Sequence, residues 1–303
     1  MRKIGTALLR GILKLLGLLP LRVHYALGRG VAFLAEKVVR YRTDVVMMNL
    51  SRAFPEYKYK ELKALKHAFY LHFGDLVAES VWFGASDAER LRRQEICRIA
   101  NPEVLSSLFD SSPSVMVMYS HCGNWELCGG VASYDYSGAE VRFKEENTVF
   151  VYKKLTSPVW DEVMRLSRLS PVLDQDAFKG YVESNDLVRF VLSHKEEKRI
   201  YCVNTDQKPY KFAKATCEVD FLHQHTLTMT AAAALARKVG MAVVYLNIRP
   251  ESRGHYVWEY TPVCPDASLM SAEEIMKAYY ALLQKDIEAL PENYLWTHKR
   301  WNI

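Results

Sequence analysis

The sequence predicts an α/β fold, a mixed, largely parallel central sheet flanked by helices, preceded by an N-terminal helical segment for membrane attachment. Three observations predict it. Four short apolar runs, SVMVMYSH from Ser114, ENTVFVYK from Glu146, RIYCVNTDQ from Arg199 and AVVYLNIRP from Ala242, are separated by stretches of helical period, and such alternation favours a sheet covered by helices. Half of the 303 residues are hydrophobic, enough for a full-sized core. The first 42 residues carry nine basic side chains against the single acid Glu36, a net +8, while the rest of the chain sums to −3.

The basic segment is also apolar, reading IGTALLRGILKLLGLLPL. A spanning helix needs about 20 mostly apolar residues. Here the longest uncharged run, Leu15 to Leu21, is short and contains Pro20, which interrupts a helix. Arg10 and Lys14 also break the stretch that a cleaved signal peptide requires. Lys3, Arg10 and Lys14 fall on one helical stripe, with Leu8, Leu9, Ile12, Leu13, Leu15, Leu16 and Leu19 around the rest, the pattern of an interfacial helix. Whether it inserts or lies flat stays open, as does a core helix whose lysines snorkel. Residues 1–42 are assigned to membrane attachment and 43–303 to one catalytic-size domain.

From Tyr41 to Glu103 the spacing predicts helices only. Further helices are expected over Pro158 to Leu169, Ala177 to Ser193 and Thr226 to Val239, the last capped by Thr226 or Thr228. HYVWEYTPV reads as an edge strand, and a closing helix from Ala272 to Leu290 stops at Pro291. The six cysteines (Cys97, Cys122, Cys128, Cys202, Cys217, Cys264) show no C-x-x-C pair, which argues against a zinc ribbon or a disulfide framework. His223 and His225 are placed on one side of a strand without an identifiable third metal ligand. The charge pattern does not suggest nucleic-acid binding.

The most informative segment is SVMVMYSHCGNWELCGG. An apolar strand ends at His121, Cys122-Gly123-Asn124 supply a turn, and Trp125 and Glu126 start a helix. Residues five apart lie about 140° apart on a helix and on opposite faces of a strand, so His121 and Glu126 meet only if the backbone turns between them. Gly123-Asn124 is a turn signal at that place. A carboxylate that accepts from one imidazole nitrogen leaves the other as a base. Ser120 sits in no G-x-S-x-G elbow, so the chemistry suggested is attack by a substrate hydroxyl, deprotonated by His121, on an activated acyl group. A structural His-Glu hydrogen bond is the alternative.

These residues resemble the bacterial lipid A late acyltransferases of the lysophospholipid acyltransferase superfamily, whose H-x4-D/E box is commonly HFGNWE; here Cys122 replaces the aromatic residue. The similarity continues in order along nearly the whole chain. Ala26 to Glu56 is similar to the segment after the family's anchor, and Val151-Tyr152-Lys153 to its V-Y-R. Arg168, with Arg165 as second choice, falls at its functional arginine. Thr205-Asp206-Gln207 resembles its D-Q/H-D box, with Lys208 departing from the second aspartate. Thr226 to Gly240 resembles a segment ending A-x-x-A-R-x-x-G, and Pro291 to Trp301 resembles P-E-Q-Y-x-W-x-H-R/K-R-W/F.

The resemblance implies an acyltransferase at the cytoplasmic face of the inner membrane. It would take a fatty acyl group from acyl carrier protein and esterify a hydroxyl of a lipid A precursor, an acylated glucosamine phospholipid. His121 would be the general base and Glu126 its orienting partner. Arg168 or Arg165, Asp206, Asn124, Tyr152 and Lys153 would bind or shape substrate, and peptide N–H groups of residues 122–124 would face the oxyanion. No metal or cofactor is implied, because a thioester is already activated. The same chemistry on a lysophospholipid or amino-acid-based lipid, and a non-catalytic lipid-binding relative, are the other readings.

Overall fold

The computed structural model describes residues 2–301 except 135, 137–139, 212 and 214; the side chains of Arg2, Lys3, Ile4 and Thr6 also fall outside it. Strands β1 (Cys97–Ile99), β2 (Val115–Tyr119), β3 (Thr148–Tyr152), β4 (Tyr181–Glu183), β5 (Ile200–Asn204), β8 (Ala242–Ser252) and β9 (His255–Cys264) form one sheet in the order β1-β9-β8-β2-β5-β3-β4. Only β8 and β9 pair antiparallel within it. Strands β6 (Thr216–Phe221) and β7 (Gln224–Met229) make a separate hairpin.

Every residue of β2 is buried, as a central parallel strand covered on both faces must be. The alternation of its side chains divides the core. Met116 and Met118 join Tyr201, Val203 and Tyr245 on one face, while Val115, Val117 and Tyr119 join Cys202, Val244 and Leu246 on the other. The first face is covered by α9 (Ala231–Val239) and α10 (Ala272–Ala289); against the second pack Trp82 and Phe83 of α4 (Tyr59–Gly84) and Leu105 and Phe109 of α6 (Pro102–Ser111). Helix α7 (Pro158–Leu169) opens with Pro158 behind the Ser157 cap, and α10 with a reciprocal Ser271–Glu274 box.

The four apolar runs are strands and the α/β class holds, but three regions differ from expectation. The Tyr41 to Glu103 region contains α3 (Thr43–Ala53), α4 and α5 (Ala88–Arg93) and then β1, which pairs with β9 and so moves that strand inside the sheet. The stretch from Ala177 begins with edge strand β4 before α8 (Leu187–Ser193). Thr226 and Thr228 lie on β7, and Thr230 occupies the N-cap position of α9. Three-residue strands are too short for a period to declare itself. His223 sits in the hairpin turn with φ 61°, whereas His225 lies on β7 and pairs with Asp220; among the described residues no group of three ligands could hold a metal.

At the N-terminus, α1 (Arg2–Gly17) and α2 (Leu21–Phe33) are joined through Pro20. Leu9, Leu13 and Leu16 of α1 are half-buried, and Leu8, Ile12 and Leu15 are exposed, Leu15 by 68%. On α2, Tyr25, Gly28 and Ala32 turn inward, and one turn of π-helix (Leu34–Val38) continues it. Gly28 meets Gly74 of α4 so closely that a Cβ there would stand 2.6 Å from the Gly74 carbonyl oxygen. Among the described residues no helix is long and apolar enough to cross a membrane.

Candidate active site

Parallel pairing sets the site. Strands β2 and β5 run side by side with Tyr119 opposite Asn204, so the residues two beyond each strand end, His121 and Asp206, emerge together at the carboxyl edge of the sheet, where α/β folds place their sites. His121 Nδ1 donates to Asp206 Oδ1 over 2.8 Å, and Gln207 Nε2 donates to His121 Nε2 over 3.0 Å. The imidazole thus carries its proton on Nδ1 and presents a lone pair at Nε2. Burial by itself would raise the Asp206 carboxyl, but its pairing with His121, by charge once the imidazole is protonated and by the hydrogen bond, outweighs it and holds the carboxyl below the ordinary range.

The backbone turn after His121 forms as expected. Gly123 has φ 58°, a conformation suited to glycine, and a Cβ there would press 2.6 Å from the Ile248 carbonyl oxygen. The expected His121–Glu126 hydrogen bond does not form. The turn leads into a 3₁₀ helix (Trp125–Gly130) that carries Glu126 to Arg168 instead: Arg168 Nε donates to Glu126 Oε2 at 2.5 Å and its Nη2 to Oε1 at 3.3 Å. Burial opposes the guanidinium charge, and the Glu126 carboxylate more than restores it. Trp125 lies between the two pairs, its Nε1 donating to Glu126 and its ring edge-on to His121 at 4.9 Å.

The other expected site residues divide. Arg165 pairs with Glu162 on the same helix, and Arg168 is the arginine that meets Glu126. Tyr152 stacks on Tyr181 at 3.9 Å, and the Tyr181 hydroxyl accepts from Arg168. Lys153 lies over the ring of Tyr210 at 3.9 Å. Asn124 is not at the opening; it is 1% exposed and donates to Glu79. The Gly123 N–H is already bonded to Asn293, through both the carbonyl and the side-chain oxygen, so it does not face an oxyanion. Burial raises the Cys122 thiol well above its ordinary range, which suits packing and not nucleophilic attack.

Sequence reasoning did not single out Gln207 or His298. The Lys208 N–H donates to His298 Nε2, which ties the loop after Asp206 to the C-terminal segment. That segment is a buried plug: Trp296 and Trp301 are buried, Trp301 donates to Thr226, and Arg300 donates to Tyr280. Burial lowers His298 from 6.5 to about 4. Since the folded value is the lower, the unfolded chain takes up this proton first as pH falls, and His298 withdraws stability between about 6.5 and 4. In urea unfolding at pH 7, 5.5 and 4.5, His298→Gln is therefore expected to lose less stability than the wild type over that window; equal losses refute it.

The matched family carries the description bacterial lipid A biosynthesis acyltransferase, and its model covers residues 1–302. The chain belongs to that family. A similar protein is the lipid A biosynthesis lauroyltransferase of Escherichia coli (strain K12), 25% identical over 298 residues, covering 96% of this chain and 89% of the relative. This member of the lipid A biosynthesis acyltransferases is accordingly an acyltransferase, as the boxes around His121 and Asp206 suggested. Its H-x4-E box places the two functional-looking pairs of the site, His121–Asp206 and Glu126–Arg168, on either side of Trp125.

Proposed function

We propose that the protein transfers a fatty acyl group from an acyl carrier protein thioester to a hydroxyl of a lipid A precursor, with His121 as general base. The observation that carries this reading is the His121–Asp206 hydrogen bond of 2.8 Å, which leaves Nε2 as the acceptor of a proton. The acceptor hydroxyl takes the place of the Gln207 amide and gives its proton to Nε2, and the buried Asp206 carboxylate stabilises the imidazolium. The acceptor oxygen bonds to the thioester carbonyl carbon; the C–S bond then breaks, and the proton on Nε2 passes to the departing sulfur. Glu126, fixed by Arg168, and Tyr152 bound the acceptor side. Lys153 supplies positive charge for a phosphate. Mass spectrometry of lipid A from a deletion strain tests the reading: one acyl chain fewer supports it, while unchanged lipid A with altered phospholipids refutes it.

The same reading places the enzyme on the inner membrane at the cytoplasmic face. Leu8, Ile12, Leu15 and Leu18, and farther along the same N-terminal segment Leu27, Leu34 and Val38, are exposed, apolar side chains suited to the lipid interface. The triple variant Leu8→Asp, Ile12→Asp, Leu15→Asp is expected to bind vesicles of mixed zwitterionic and anionic lipid at least about tenfold more weakly in sedimentation. Undiminished binding places the attachment elsewhere.

A further inference from the structure

Glu79 of α4 has no part in the proton transfers above, yet it is among the most deeply buried charged residues of the chain, 1% exposed. Its carboxyl gathers three donors from three separate elements. Oε1 accepts from the Tyr25 hydroxyl of α2 at 2.8 Å; Oε2 accepts from the Tyr256 hydroxyl of β9 at 2.5 Å and from the Asn124 amide of the active-site turn at 2.9 Å. Removing a carboxyl from water disfavours folding unless its lone pairs are bonded. An apolar side chain would join α4 to β9 with less penalty, but it could not orient a carboxamide. Asn124 has no comparable alternative: it is itself buried, and the next residues, Trp125 and Glu126, bear directly on His121 and Arg168.

We infer that Glu79 is a positioning residue for acyl transfer: it acts through Asn124, fixing the turn between His121 and Glu126, and bonds that turn to α2. The kinetic consequence rests on the acyl-transfer reading; the structural one does not. Glu79→Gln keeps the shape but sets an amide N–H against donors, and Asn124→Ala removes the group that Glu79 holds. If Glu79 acts through Asn124, the two changes interrupt one connection and their effects do not multiply.

The test compares the full-length wild type, both single variants and the double variant, each first shown to fold by circular dichroism and thermal unfolding. Each single variant is expected to lower kcat by about tenfold or more, with KM for the acyl donor within about twofold, and the double variant to be no slower than the slower single. Independently of turnover, modification of His121 by diethyl pyrocarbonate, read by peptide mass spectrometry, is expected to change by roughly threefold or more in each single and no further in the double. Variants that lose only thermal stability, or effects that multiply in the double, overturn the proposal. If Glu79→Gln does not fold, Glu79→Asp replaces it, since it keeps the carboxyl but withdraws it from the Asn124 amide; unchanged kcat and His121 reactivity in that variant also overturn the proposal. A wild type that transfers no acyl group while His121 reactivity follows the stated pattern refutes the acyl-transfer reading and leaves the positioning role standing.

Discussion

His121→Ala is expected to lower acyl transfer by about a thousandfold while the protein stays folded, because general-base catalysis by a positioned imidazole contributes roughly 10² to 10⁴ and no neighbouring group can replace it. Ser120 and Cys122 flank the position, but both are buried, and the Cys122 thiol is pushed up by its surroundings. The backbone should hold, since the Leu295 N–H bonds to the His121 carbonyl oxygen and not to its ring, but Asp206, whose side chain is 2% exposed, loses its imidazole partner, so some stability is expected to be lost with the activity. The measurement is single-turnover transfer from acyl carrier protein alongside thermal unfolding. A variant that is stable and fully active sinks the general-base role. Asp206→Asn should lose most of the same activity, since a carboxamide does not stabilise the imidazolium that forms during the reaction.

Arg168→Ala is the second large effect, and here stability falls with activity. The Arg168 and Glu126 side chains are each 13% exposed. Removing one member of so enclosed a pair leaves a charge with little solvent, a loss of about 3 to 5 kcal/mol. Arg165→Ala, three residues earlier on the same helix, breaks a pair with Glu162 that is much more open to water, and is expected to cost less than about 0.5 kcal/mol. Denaturant unfolding and transfer assays on the two variants decide which arginine the site uses. Equal effects contradict the assignment.

The contrast between those arginines shows what the sequence can and cannot convey. The resemblance favoured Arg168 and left Arg165 as second choice, because its match slips over this short stretch of one helix and both arginines fall within it. The strands were legible because β2, β5 and β8 are nearly continuous apolar runs, as buried parallel strands require. Strands β1 and β4, three residues each, left no such mark. The turn at Gly123-Asn124 was legible too, but the partner of His121 was not, since the nearer carboxylate in sequence, Glu126, is farther in the fold than Asp206. A signal existed: in SVMVMYSH and RIYCVNTDQ the histidine and the aspartate stand at the same distance past adjacent apolar runs. It becomes a contact only once those runs are known to be neighbours in register.

The Gly28–Gly74 crossing has a mechanical meaning. Where side chains separate two helices, rotamer changes let one rock against the other. At this crossing backbone lies on backbone, and further along α4 Glu79 is bonded both to Tyr25 of α2 and to the Asn124 turn. Helix α2, α4 and the loop bearing His121 are therefore joined by direct contacts. On the proposed reading, with the exposed side chains of α2 resting on the lipid interface, these joints would fix the height of the imidazole above it and so the depth from which an acceptor is drawn.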